Sequence, residues 1–151
     1  MTILLTNDDG YDADGICYLK SEIKKIEQTV TFAPRQNCSG YSAAISLGKD
    51  IEVEELNEDT FIISGTPADC SYFGLHGSKK FDFTQLVSGI NLGSNLGTDI
   101  FYSGTVGAAI AGLKLRYPPI AFSVASYQPK DLDFIAKKCV EICLHVRNTN
   151  I

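Results

Sequence analysis

Residues 1–10, Met-Thr-Ile-Leu-Leu-Thr-Asn-Asp-Asp-Gly, restrict what this chain can fold into more than any other stretch. Ile3, Leu4 and Leu5 form a short apolar run that reads as a buried strand, and it stops abruptly at Asn7, Asp8, Asp9 and Gly10. In an α/β sheet, ligands sit outside the carboxyl ends of the strands. Acids in this position therefore face a site rather than the core, and it is there that a metal would be held. A solvated turn or a cap for the next helix is the competing reading of such a pair. Phosphoacceptor receiver domains carry two acids here as well, so the pair alone names no function.

The elements that follow support an α/β fold. Ile16, Leu19, Ile23 and Ile26 recur at helical spacing, with Lys20, Lys24, Lys25 and Glu27 on the other side, which predicts an amphipathic helix. Val30 to Ala33 predict a strand ending at Pro34, the start of a parallel β-α-β unit. Arg35 to Ser42 is then a polar loop at the same edge as Asp8 and Asp9. Ile51 to Leu56 and Phe61 to Ile63, joined across Asn57 to Thr60, predict a hairpin or paired edge strands. Thr66 is placed as an N-cap, with Pro67 at the first helical position and Asp69 in the first turn of a helix running to about Gly77. Leu86 and Val87 lead into Ser88–Gly97, a strand that dissolves into a glycine-rich loop. Tyr102-Ser-Gly-Thr105 opens a helix with Val106, Ala109, Ile110, Leu113 and Tyr117 on one face, ended by Pro118 and Pro119. Ile120 to Val124 predict a strand, and Leu132, Ile135, Ala136, Cys139, Cys143 and Val146 a last amphipathic helix.

The 151 residues are one domain's worth, and fractions of 44% hydrophobic and 21% charged are those of a globular chain, so a single domain over 1–151 is expected. A net charge of −5 argues against a nucleic-acid polymer as partner, since that needs a basic surface to displace counterions. A single small anion is still compatible, because a local metal or helix terminus can invert the charge. The five cysteines (17, 38, 70, 139, 143) contain no C-x-x-C pair and read as reduced, buried thiols. No apolar run approaches membrane-spanning length and the N-terminus has no signal-peptide pattern, so the expected compartment is the cytoplasm. The ending at Arg147-Asn-Thr-Asn-Ile151, directly after a helix, reads as that of a fragment of something longer.

Ser39 and Asn91 bring neutral oxygen donors on two other loops at the same edge. Carboxylates with a hydroxyl and an amide are hard ligands, which suit Mg²⁺ or Mn²⁺ and argue against zinc; singly, each is a common turn residue. Such a metal could polarise a phosphoryl oxygen and activate a bound water. Ser103, Gly104 and Thr105 sit where a glycine-rich loop becomes a helix, so free N–H groups and hydroxyls could cradle a phosphate, the alternative being a plain N-cap. The loop is not a P-loop, and Gly89 to Gly97 does not match the dinucleotide fingerprint. His76 and His145 read as surface or packing residues, which leaves no evident general acid or base.

Asn7-Asp8-Asp9-Gly10, Ser39-Gly40 after Ala33-Pro34, Gly65-Thr66-Pro67 with Asp69-Cys70, and Ser88–Gly97 through Tyr102-Ser-Gly-Thr-Val-Gly-Ala-Ala109 together resemble the SurE family of stationary-phase survival proteins, in order, from residue 1 to about 126. The resemblance implies a three-layer Rossmann-like fold with a mostly parallel central sheet. It implies a metal-dependent phosphatase acting on nucleoside 5′- and 3′-monophosphates, and sometimes on short polyphosphate. The family's metal ligands fall on Asp8, Asp9, Ser39 and Asn91, with one divalent cation per subunit, and its phosphate-side loop on Asn95, Ser103, Gly104 and Thr105. Members are cytoplasmic homodimers or homotetramers. Two departures stand out: Cys38 replaces a usual basic residue before the serine, and members continue well past this chain's end.

The leading reading is thus a metal-dependent nucleotidase, in which Asp8 and Asp9 carry the catalytic cation. The alternative is a truncated metal- or nucleotide-binding or assembly module that keeps the fold and has lost turnover. A receiver domain is disfavoured, because Asn91 occupies the strand end where its phosphoacceptor Asp belongs and Ala125-Ser126 follows Val124 where its Lys belongs.

Overall fold

A computed structural model of the chain describes residues 1–149; Asn150 and Ile151, part of the terminal stretch read as that of a fragment, lie outside the described residues. Six strands make one sheet: β1 (Thr2–Thr6), β2 (Gln28–Pro34), β3 (Val53–Asn57), β4 (Thr60–Ile63), β5 (Phe83–Leu92) and β6 (Ile120–Val124), in the order β3-β4-β2-β1-β5-β6. Every neighbouring pair is parallel except the β3–β4 hairpin. Four α-helices accompany them: α1 (Asp14–Ile23), α2 (Pro67–Tyr72), α3 (Gly104–Ile110) and α4 (Leu132–Asn148).

The three layers follow from alternation inside β1, whose five residues are all buried. Ile3 and Leu5 pack with Ile16, Leu19, Ala136 and Cys139 beneath α1 and α4. Leu4 points the other way, to Phe32, Cys70, Leu86 and Ala109 beneath α2 and α3. A strand covered on both faces has no polar side to alternate with, which is why this one reads as an unbroken apolar run. The approach of α1 is close at Gly15, where a Cβ would lie 1.9 Å from the Ile90 carbonyl oxygen. Near the end of α4, half-buried Arg147 ties the helix to the sheet: its Nε donates to Gln85 Oε1 at 2.8 Å and its Nη1 to Glu27 Oε1 at 3.1 Å.

Several expectations are corrected. Helix α1 stops at Ile23, so Ile26 is exposed. Cys17 lies on the outer face of α1 and is exposed, while the other four cysteines are buried. Strand β5 runs to Leu92, one residue past the Asn91 end expected, with Gly89 inside it at φ +124°. Helix α3 ends at Ile110 instead of Tyr117, leaving Ile110 and Leu113 exposed. There the chain breaks into turns as Gly112 closes on β5, where a Cβ would meet Leu86 Cβ at 2.7 Å. Helix α2 begins as expected, then relaxes into a π-helical turn over Phe73–Gly77. His76 and His145 are both exposed. No helix among the described residues is long and apolar enough to cross a membrane.

Candidate active site

The carboxyl ends of β1, β2, β5 and β6 and the start of α3 converge on one cleft of about 520 Å³. Its first wall is the loop after β1. Asn7, fully buried, folds this loop on itself: Nδ2 donates to the Gly10 carbonyl at 2.7 Å and Oδ1 accepts from Gly10 N–H at 3.4 Å. The turn needs φ +122° at residue 10, which glycine alone adopts without cost. Asp8 is thereby directed inward, 3% exposed, and Asp9 stays half-buried beside it.

The loop after β2 is fastened to the first. Cys38 N–H donates to the Asp8 carbonyl at 2.7 Å, and Tyr11 N–H to the Pro34 carbonyl at 3.1 Å. Asn37 bridges the two chemically interesting residues, its Nδ2 donating to Asp9 Oδ1 at 3.2 Å while its Oδ1 accepts from Ser39 N–H at 3.0 Å. From the end of β5, Asn91 donates Nδ2 to the Gly93 carbonyl at 2.9 Å, which leaves its Oδ1 as the atom available to a cation. Gly93 N–H bonds the Val124 carbonyl at 3.0 Å, and Asn95 Nδ2 donates to Ser123 Oγ at 2.7 Å, so both residues are held to β6. The fourth contribution is α3, joined to the β2 loop through Ser42 N–H and the Tyr102 carbonyl at 3.1 Å.

Of the expected site residues, Asp8, Asp9, Ser39, Asn91, Asn95 and Ser103 line the cleft. Ser103 caps α3, its Oγ accepting from Val106 N–H at 3.2 Å; the hydroxyl proton is still free to donate. Gly104 lies against Asp8, where a Cβ would sit 2.8 Å from Asp8 Cβ. The expectation for Thr105 is corrected: it is fully buried, and its hydroxyl donates to Asp8 Oδ1 at 2.6 Å instead of facing the cleft. Cys38 is also turned away, lining a neighbouring cleft with Arg35 and Ser46. Asn37, Asp99, Tyr102 and Tyr127 also line the cleft and are not among the expected site residues; Asn37 had a local signal, two residues before Ser39 in a polar loop.

The electrostatics are one-sided. Among the described residues three acids, Asp8, Asp9 and Asp99, line the cleft and no Lys, Arg or His does. Burial raises the Asp8 carboxyl above its ordinary range against the opposing hydrogen bond from Thr105. Burial, and then the adjacent Asp8 charge, push Asp9 up to about 6 despite Asn37. Both shifts measure a shortage of positive partners. Among the described residues no group of three or more His, Cys, Asp and Glu side chains converges. Two carboxylates with a hydroxyl and an amide oxygen remain, a set that fits a hard divalent cation keeping several waters.

Comparison with known proteins gives a consistent family. The model of the family described as "Survival protein SurE" matches residues 3–151. A protein named 5′-nucleotidase SurE from Acinetobacter baumannii is 42% identical over 166 aligned positions, covering 100% of this chain and 65% of the relative. The protein of that name from Acinetobacter baylyi is 46% identical over 125 positions, covering 83% and 49%. The crystal structure of the SurE protein from Aquifex aeolicus superposes with a TM-score of 0.92 at 38% identity, over 100% of this chain and 62% of that one. The chain thus spans between about half and two thirds of the length of these relatives.

Proposed function

The chain belongs to the SurE family, and from that premise we propose that it is a divalent-metal-dependent phosphatase hydrolysing nucleoside 5′- and 3′-monophosphates, with short polyphosphate as a further substrate. The reading rests on one observation above the rest: among the described residues the cleft contains three acids and no basic side chain, so a phosphate dianion can enter only with a cation to offset them. Asp8 and Asp9 would hold that cation through charged oxygens, and Ser39 Oγ and Asn91 Oδ1 through neutral ones. One Mg²⁺ or Mn²⁺ per subunit supplies Lewis-acid polarisation of the phosphoryl group and acidification of a water when bound.

The residues around this set have separate tasks. Asn95 and the Ser103 hydroxyl orient the phosphate, and Gly104, having no side chain, leaves the room that Asp8 occupies at the start of the phosphate-side helix. Tyr102 and Tyr127, both exposed at the cleft, offer aromatic faces to the nucleoside end. The cytoplasm is the compartment of this reading. Exposed Leu47, Leu96, Phe101 and Leu113 support self-association as a homodimer or homotetramer.

The test is phosphate release from adenosine monophosphate with Mn²⁺ added, for the wild type and for Asp8→Asn combined with Asp9→Asn. Hydrolysis that the double variant abolishes is expected. A wild type without turnover, or turnover that survives the double substitution, would overturn the assignment; metal and nucleotide binding without hydrolysis would leave the binding-module reading in its place.

A further inference from the structure

We propose that Thr105 is a positioning residue for Asp8, setting the affinity of the site for a divalent cation, and is not a phosphate ligand. The inference rests on the metal-dependent reading above and deepens it. Thr105 is 0% exposed and its hydroxyl is 2.6 Å from Asp8 Oδ1, a short contact between groups 97 residues apart in sequence. An ionised carboxylate only accepts, so the threonine must donate. A hydroxyl has a single proton, and with that proton on Asp8 it has none for a phosphate oxygen. Its burial excludes the same contact on access alone.

The surroundings show what this bond accomplishes. The Asp8 main chain is pinned from the β2 loop by Cys38 N–H at 2.7 Å, and the side chain rests on Gly104, where a Cβ would lie 2.9 Å from Oδ2. Thr105 closes the remaining freedom by fixing the carboxylate plane at Oδ1. The β1 loop that supplies the ligand and the helix that follows the phosphate-side loop are thereby joined through a single side-chain contact. Partners that orient a metal ligand in this way commonly change affinity about 10–100-fold when removed.

The experiment is calorimetric titration of Mn²⁺ into the metal-free wild type, Thr105→Val, Thr105→Ala and Thr105→Ser, followed by inorganic phosphate at saturating Mn²⁺. Valine keeps the shape and deletes the donor, alanine deletes the donor with less crowding should valine not fold, and serine restores the donor. The expected result is Mn²⁺ affinity weakened about 10–100-fold in the valine or alanine variant, recovered in the serine variant, with phosphate affinity unchanged throughout. Unchanged Mn²⁺ affinity with lost phosphate affinity would overturn the proposal, as would a folded serine variant as weak as valine. A wild type that binds no Mn²⁺ would instead overturn the metal site itself, an outcome separable from any effect at residue 105.

Discussion

Asp8 and Asp69 are equally shielded from solvent, each 3% exposed, and both follow the carboxyl end of a strand, yet Asp8 lies deeper and they behave in opposite ways. Asp69 accepts from Ser46 N–H at 3.0 Å, Ser46 Oγ at 2.7 Å and Thr66 N–H at 2.8 Å, while its own N–H is capped by Thr66 Oγ1 at 3.1 Å. Burial alone would raise its carboxyl, but these donors together hold it below the ordinary range. Asp8 has one side-chain donor, Thr105, and burial prevails; beside it Asp9 has Asn37 and a like charge. Depth of burial and the donors aimed at a carboxylate decide its state together: desolvation outweighs the donors at the more deeply set Asp8, and the donors outweigh desolvation at Asp69. Asp69 is saturated from within the fold, whereas burial, joined at Asp9 by a like charge, outweighs the donors at Asp8 and Asp9, the state the proposed cation would relieve.

The largest effect is expected at Asp8. Asp8→Asn is expected to lower hydrolysis of adenosine monophosphate about 10²–10³-fold in steady-state assays, through lost charge at the cation site. Asp69→Ala should act on stability instead. Loss of the cap and of a buried acceptor for two N–H groups predicts about 2–4 kcal/mol by urea unfolding. Saturating Mn²⁺, at about 100 times its dissociation constant, should stabilise the wild type by about 2.7 kcal/mol in thermal melts and leave the Asp8→Asn, Asp9→Asn variant unmoved. Smallest, and opposite in sign to the loss at Asp69, is Asp9→Asn in the presence of chelator, expected to raise the melting temperature by about 2–4 °C at pH 7.

The same contrast gives pH dependence with opposite slopes. The folded-state pKa of Asp69 is lowered, so its stabilisation is present above the unfolded value of 3.8 and is lost as pH falls through the lower folded value. Asp9 is raised to about 6, so the metal-free fold binds its proton more tightly than the unfolded chain does and loses stability as pH rises from about 4 to above 6. Chemical denaturation of the chelated protein across this range should show the second slope vanish in Asp9→Asn. A slope that persists would place its origin elsewhere.

What could be read from sequence was what short range dictates. Thr66-Pro67-Asp69 is a reciprocal cap spanning three residues, and it forms as expected. The apolar run of β1, the hairpin and α4 were legible because burial imposes its period on contiguous residues. Residues 106–117 misled because apolar side chains at helical spacing do not reveal a chain that turns at Gly112. The positive φ of Gly89 inside β5 has no local signature, since it is accommodated where the β5–β6 register shifts between Ser88 and Asn91. The Thr105–Asp8 and Asn37–Asp9 contacts, and the placing of Tyr127 at the cleft, depend on loops meeting in space, and no local pattern announces them.

One feature of the loops bears on how such a protein can diverge. Cys38 to Asp8, Tyr11 to Pro34, Ser42 to Tyr102 and Gly93 to Val124 are all joined through peptide N–H and C=O groups. Bonds of this kind are blind to side-chain identity, and of the common replacements only proline at a donor position removes one. The framework around the cleft can therefore be inherited intact while the side chains at its mouth, such as Asn37, Tyr102 and Tyr127, drift. Lineages sharing this scaffold are free to exchange what they admit without first having to rebuild what holds the reacting groups in place.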